Sequence, residues 1–208
     1  MREEAVRVAG RLEATLRIPD VEPRAVVVVA HPLPTHGGTM RNPLVASLAR
    51  AIAARGFYAL RFNFRGVGAS DGEWTGGVEE WRDVADAVAH ARDTFPELPV
   101  GVAAYSFGAL TTLRWIEKGG HANGIALVGV PLRSVWLAPQ ELPAVPDGTF
   151  IVAAAHDQFG TAEELRRALP RARIAEVKGV DHFFVGKRDE AGRLVAGELA
   201  RALASTVP

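Results

Sequence analysis

Residues 102–110, VAAYSFGAL, lead from an apolar run through one serine into a run with helical spacing. A serine at such a junction reads in two ways. It is a helix N-cap, whose side-chain oxygen accepts a backbone N–H, or a nucleophile held on a sharp strand-to-helix turn. The second arrangement needs small residues two before and two after the serine, because strand and helix approach closely there. Ala104 and Gly108 hold those positions, the alanine one methyl larger than the glycine of the G-x-S-x-G pattern. In a chain this rich in alanine and glycine the relaxed pattern also arises by chance. The surroundings of Ser106 therefore decide both the fold and its role.

Outward from this junction the chain alternates. RAVVVVA (24–30) is a continuous β-branched run of the kind buried on both faces of a parallel sheet. NPLVASLARAIAARG (42–56) follows with helical spacing, Pro43 near its start and Gly56 at its end. FYALRFNF (57–64) reads as a strand and VEEWRDVADAVAHARDTF (78–95) as an amphipathic helix. Beyond the serine come a helix closed by Gly119, the strands NGIALVGV (123–130) and FIVAAAHD (150–157), and the helix TAEELRRAL (161–169). Thr161 and Glu164 of that helix are spaced as a capping box. ARIAEVKG (172–179) is the last strand and EAGRLVAGELARALAS (190–205) the last helix. At the amino end, AVRVAG and RLEATLRIP read as a hairpin turning at Gly10. The expectation is one α/β domain over residues 1–208: a mostly parallel sheet of about eight strands with helices on both faces. Ligands of such sheets sit beyond the carboxyl ends of the strands. Function is therefore sought in HPLPTHGG, FRGVGASDG, YSFG, HDQFG and GVDHFF.

Those loops hold the partners a serine nucleophile needs. Asp157 closes the run FIVAAA, and His182 follows the last strand, so Ser106, Asp157 and His182 occur in the order serine, acid, base. The acid must hold the imidazole in one tautomer while the imidazole reaches the hydroxyl. Asp181 competes as the acid, but adjacent loop side chains rarely orient one another, and Asp157 is preferred. His121 and His156 compete as bases; the first reads as a solvated residue at a helix end, and the second directly precedes Asp157. For the oxyanion, one donor is the amide of Phe107, at a helix N-terminus. The other is sought in HPLP, where Pro32 and Pro34 lack an N–H and Leu33 alone of the three can donate. The prolines on either side would hold that amide stiffly; the bland alternative is a rigid turn without function.

HPLPTHGGTMRNPLV, LRFNFRGVGASDGEWTGGVEEWRD, GVAAYSFGA, HDQFGTAEEL and GVDHFF, in this order, resemble a small prokaryotic branch of the α/β-hydrolase superfamily. That branch is related to dienelactone hydrolases and serine carboxylesterases, and the resemblance extends from about residue 5 to residue 200. It implies the α/β-hydrolase fold, Ser106 as nucleophile, Asp157 as acid, His182 as base, and Leu33 and Phe107 as oxyanion donors. It implies hydrolysis of carboxylic esters without metal or organic cofactor. Two departures stand out: Ala104 replaces the first elbow glycine, and HP replaces the HG often found after the third strand. Dienelactone hydrolases proper use a cysteine nucleophile, which this cysteine-free chain lacks. Thioesterase, peptidase and acyltransferase chemistry on the same triad remain open, as does a non-catalytic binding protein.

Composition narrows the rest. With 48% hydrophobic and 23% charged residues the chain reads as globular. Its net charge of zero, with no basic stripe, argues against nucleic acid as a partner. No apolar run is long enough to span a bilayer, and the amino end lacks a signal-peptide pattern, so a cytoplasmic location is expected. Near-zero charge is compatible with a homodimer. FRGVGASDG has its third glycine misplaced for a dinucleotide fingerprint, and Arg65 and Asp71 read as loop braces. His31 and His36 have no carboxylate partner that would make them a metal pair. The four tryptophans read as core or pocket lining. Residues 131–148, where this fold commonly inserts a lid, are too few for a separate cap domain. An open cleft, or one covered by Trp136, Leu137 and a partner subunit, is expected, and either would favour small to medium acyl groups. Three asparagines and two glutamines suit a thermophile and a GC-rich genome equally well.

Overall fold

Val26, Val28 and Ala30 face one core and Val27 and Val29 face the other, and all five are fully buried. Such a run shows no polar residue to water, so it is stable only with a layer on each side. Each buried valine contributes roughly 1.5–3 kcal/mol. The computed structural model describes residues 1–133 and 142–204. Its elements are β1 (Arg2–Val8), β2 (Leu12–Ile18), β3 (Val26–Ala30), α1 (Pro43–Ala53), β4 (Tyr58–Phe62), α2 (Trp81–Thr94) and β5 (Val100–Tyr105). After these come α3 (Phe107–Glu117), β6 (Gly124–Val128), β7 (Phe150–Ala154), α4 (Ala162–Ala168), β8 (Arg173–Val177) and α5 (Arg188–Ala204).

One sheet holds the eight strands in the order β1-β2-β4-β3-β5-β6-β7-β8. Only β2 runs against the rest, because it pairs antiparallel with both β1 and β4 while every later pairing is parallel. This is the α/β-hydrolase fold. Leu44 and Leu48 of α1 and Val195 and Leu199 of α5 fill the core on one face. Val84 and Val88 of α2, Leu110 and Leu113 of α3, and Leu165 of α4 fill the other. β3 has β4 on one side and β5 on the other, so the chain leaves β3 and β5 in opposite directions and opens a crevice at their carboxyl ends.

Local chemistry explains the ends of the elements. Asn42 caps α1 by accepting from the Leu44 N–H at 2.9 Å, with Pro43 at the first helical position. Thr161 and Glu164 form the expected capping box on α4. α2 departs from the expected 78–95, for it begins only at Trp81. The fully buried Glu80 accepts from the Thr75 N–H at 2.7 Å and the Thr75 hydroxyl at 2.8 Å. This closes a loop where the acidic pattern alone suggested a first helical turn. Among the described residues no helix is long and apolar enough to cross a membrane. Trp136 and Leu137, the alternative to an open cleft, lie outside the described residues.

Candidate active site

Ser106 joins β5 to α3 with φ +56° and ψ −114°, a conformation that a non-glycine residue rarely holds. Such strain costs about 1–3 kcal/mol and persists only where the surroundings over-determine it. Here the Ser106 N–H donates to the Val128 carbonyl at 2.9 Å, and the Ser106 carbonyl accepts from Ala109 at 2.9 Å and Leu110 at 3.2 Å. Although Ser106 occupies the N-cap position of α3, its hydroxyl caps nothing. It lies instead 2.8 Å from His182 Nε2.

Gly108 shows why the elbow needs a small residue there. A Cβ on Gly108 would stand 2.8 Å from the Ala30 and His31 carbonyl oxygens, closer than real Cβ atoms come. Ala104 has no such restriction. It is buried within β5, opposite Ala30 on one neighbour and Leu127 on the other, where a methyl fits.

The hydrogen-bond chain continues from His182. Its Nδ1 lies 2.7 Å from Asp157 Oδ2, and the other carboxylate oxygen accepts the Phe159 N–H at 2.8 Å. Asp157 is 1% exposed and His182 4%, so both are shielded from competing water. With Nδ1–H donating to the carboxylate, Nε2 is left as an acceptor for the serine hydroxyl. Asp181 turns away; its carboxylate accepts the Phe183 N–H at 3.0 Å. His121 and His156 are exposed. The structure thus brings together the three residues singled out in the sequence and separates them from all three competitors.

Leu33 and Phe107 line one cleft with Ser106 and His182, a hollow of about 150 Å³. Phe107 is the first residue of α3, so its N–H points out of a helix N-terminus. The Leu33 carbonyl accepts from His36 at 3.2 Å and Gly38 at 3.0 Å, which folds the loop into a single 3₁₀ turn. Gly38 is obligatory there, because a Cβ would stand 2.1 Å from the Pro32 carbonyl oxygen.

Two further residues escaped the sequence reading. His31 is fully buried; its Nδ1 lies 2.6 Å from the Pro32 carbonyl oxygen, and its Nε2 accepts the Phe64 N–H at 3.1 Å. It ties the Leu33 loop to the end of β4, and burial pushes its pKa down to about 4. Tyr105 donates its hydroxyl to the His182 carbonyl at 2.9 Å, and burial raises its pKa. A histidine and a tyrosine at the ends of otherwise apolar strands were the available signals. Arg65 behaves as the expected brace, forked on the buried Asp83 at 2.8 Å; Asp71 pairs with Arg7 at 3.1 Å. A larger hollow of about 460 Å³ lies beside Arg11, Arg65 and Trp81. The charges of Arg11 and Arg65 there are taken up by ion pairs to Asp83, at 2.6 and 2.8 Å. Among the described residues no group of three or more His, Asp or Glu side chains could hold a metal ion.

Residues 21–179 match the family described as serine aminopeptidase, S33. An uncharacterized protein of Rickettsia prowazekii is 25% identical over 202 residues, covering 89% of this chain and 83% of its own. A solved α/β serine hydrolase homologue from Coxiella burnetii is 25% identical, with TM-score 0.82 over 95% of this chain and 97% of the other. An α/β serine hydrolase from Xanthomonas campestris, described as lacking a lid, superposes with TM-score 0.85 at 23% identity, covering 100% of this chain and 98% of the other.

Proposed function

The chain belongs to the serine aminopeptidase S33 family of α/β-hydrolases, and from that premise we propose that this hydrolase is a serine carboxylesterase acting on small to medium acyl groups. The observation that carries the reading is the buried run Ser106 Oγ–His182 Nε2 at 2.8 Å and His182 Nδ1–Asp157 Oδ2 at 2.7 Å. His182 takes the hydroxyl proton as Ser106 Oγ attacks the ester carbonyl, and Asp157 stabilises the imidazolium. The amides of Phe107 and Leu33 hold the oxyanion; each such donor lowers the barrier by roughly 3–4 kcal/mol. Collapse expels the alcohol, protonated by His182, and leaves an acyl-serine. Water, deprotonated by His182, then attacks the acyl-serine and releases the carboxylic acid. No step calls for a metal or organic cofactor.

The family description raises aminopeptidase activity as the second reading. An aminopeptidase must hold a peptide's terminal ammonium, which calls for a carboxylate in the cleft. The charged or titratable residues lining it, besides His182 itself, are His36, Tyr105 and Arg133, and no carboxylate lines it among the described residues. That favours a neutral ester. The test is hydrolysis of p-nitrophenyl esters from acetate to decanoate, with Ser106→Ala, Asp157→Asn and His182→Ala beside the parent. The parent is expected to prefer short chains, and the serine and histidine variants to lose about 10⁴-fold or more in kcat/KM. A parent that cleaves none of these esters and takes no fluorophosphonate label at Ser106 would overturn the reading.

A further inference from the structure

The turn that carries His182 makes its neighbour conspicuous. Asp181 accepts the Phe183 N–H on its side chain at 3.0 Å and the Phe184 N–H on its carbonyl at 3.1 Å. Phe184 sits at φ +50°, a true outlier for so bulky a residue, with its side chain fully buried. Across these three residues the side chains alternate: His182 is 4% exposed, Phe183 54%, Phe184 0%. Among the described residues Phe183 is the one large aromatic side chain left exposed, and Val185, 62% exposed, follows it on the same turn. Local strain thus holds an apolar ring in water beside the reactive centre. Outliers of that kind point to function when they border an active site.

Mechanism says which part of a substrate meets that ring. The leaving-group oxygen must come within hydrogen-bond reach of His182 Nε2 to take its proton. An exposed ring that packs against His182 and lines the cleft with Ser106 is therefore placed to border the alcohol. Three rings pack against His182: Tyr105, tilted at 5.3 Å and 34° and buried beneath it, and two edge-on, Phe159 with centroids 4.7 Å apart at 76° and Phe183 at 5.8 Å and 83°. Of the three only Phe183 is exposed to an incoming group. The whole cleft, with Phe183 in its lining, has the volume of a hollow that takes a benzene-sized group, about 150 Å³. A short acyl group fits in that space, while the alcohol lies toward the open rim where Phe183 stands.

We propose that Phe183 is a specificity-determining residue that receives the leaving-group alcohol, and that the preferred substrates are short-acyl esters of flat aromatic alcohols. The inference rests on the esterase reading above. A planar ring can stack on Phe183 or meet it edge to face without entering the confined part of the cleft. An aliphatic alcohol of equal size gains only the burial.

The experiment compares kcat/KM for ethyl, cyclohexylmethyl and benzyl acetate, whose alcohols depart with similar basicity, in the parent, Phe183→Ala and Phe183→Leu. More than half of Phe183 is in solvent, so neither change cuts into the core. The expected result is a parent preference for benzyl over cyclohexylmethyl acetate of about tenfold. That ratio falls to about one in both variants. Phe183→Leu, which keeps apolar bulk, recovers cyclohexylmethyl acetate relative to Phe183→Ala without restoring the benzyl preference. Parallel losses on all three esters, with a shifted pH profile, would mean that Phe183 acts through His182 and would overturn the proposal. So would a parent without the benzyl preference, and in both cases cleavage of ethyl acetate leaves the esterase reading standing. A parent inactive on every ester overturns the proposal, and one that also takes no fluorophosphonate label at Ser106 overturns the esterase reading with it.

Discussion

Tyr105 stands between Ala104 and Ser106, and its hydroxyl reaches a backbone carbonyl 77 residues further on. That bond anchors the loop from which His182 meets the serine, so Tyr105 is a positioning residue whose role is invisible in the local pattern. Tyr105→Phe leaves the buried His182 carbonyl without its donor. It is expected to lower kcat about five- to fiftyfold with KM little changed, because small misplacements of a base are costly. Its fluorophosphonate labelling rate should fall with kcat. A purely structural role would lower thermal stability and leave the labelling rate of the folded fraction intact. At this scale Ser106, Asp157 and His182 could be singled out in advance as candidates, since order and strand-end placement are properties of the chain. His31 and Tyr105 could not, because their partners, Pro32 and Phe64 for one and His182 for the other, are defined only by hydrogen bonds made after folding.

At the scale of elements, the strand-to-helix junction explains why its two small residues are unequal. Ala104 sits inside the sheet, where neighbouring strands leave space for a methyl, whereas Gly108 lies where α3 crosses the backbone of β3. Gly108→Ala must displace either α3 or the His31–Leu33 loop. It is expected to cost roughly 1–3 kcal/mol in urea unfolding and to reduce activity by more than the lost folded fraction accounts for. Unchanged stability would show that the crossing has slack. The helices and strands themselves were legible because burial imposes a period of 3.6 or 2, or a continuous apolar run. The start of α2 was not. Val78, Glu79 and Glu80 fit the helical pattern, but the paired hydrogen bonds from Thr75 hold the buried Glu80 in a loop. A carboxylate buried against a threonine five residues back has no periodic signature.

Across the whole molecule, the sheet gathers groups that the sequence keeps far apart. Ser106 and His182 are separated by 76 positions and His182 and Asp157 by 25, yet all three meet at one edge because parallel strands end together. His31 ties the same edge to the stability of the fold. Its pKa is about 4 in the folded protein against an ordinary 6.5. The unfolded chain therefore binds the extra proton between those values, and stability rises with pH across that window. The His31 contribution is complete above pH 6.5 and is lost as the pH falls toward 4, by about 3 kcal/mol in total. Urea unfolding from pH 7.5 to 4 should show this fall in the parent and a shallower one in His31→Gln; equal slopes would rule out His31 as its source. The sequence by itself determined the fold class, the element order and the serine–acid–base series, because periodic burial and strand-end position are written along the chain. Only the tertiary structure decided that Asp157 rather than Asp181 meets His182, that Leu33 and Phe107 share a cleft with the serine, and that Phe183 faces water beside it. Each of these depends on which side chains the packed sheet and a strained turn aim at one another, and no spacing along the chain encodes that direction.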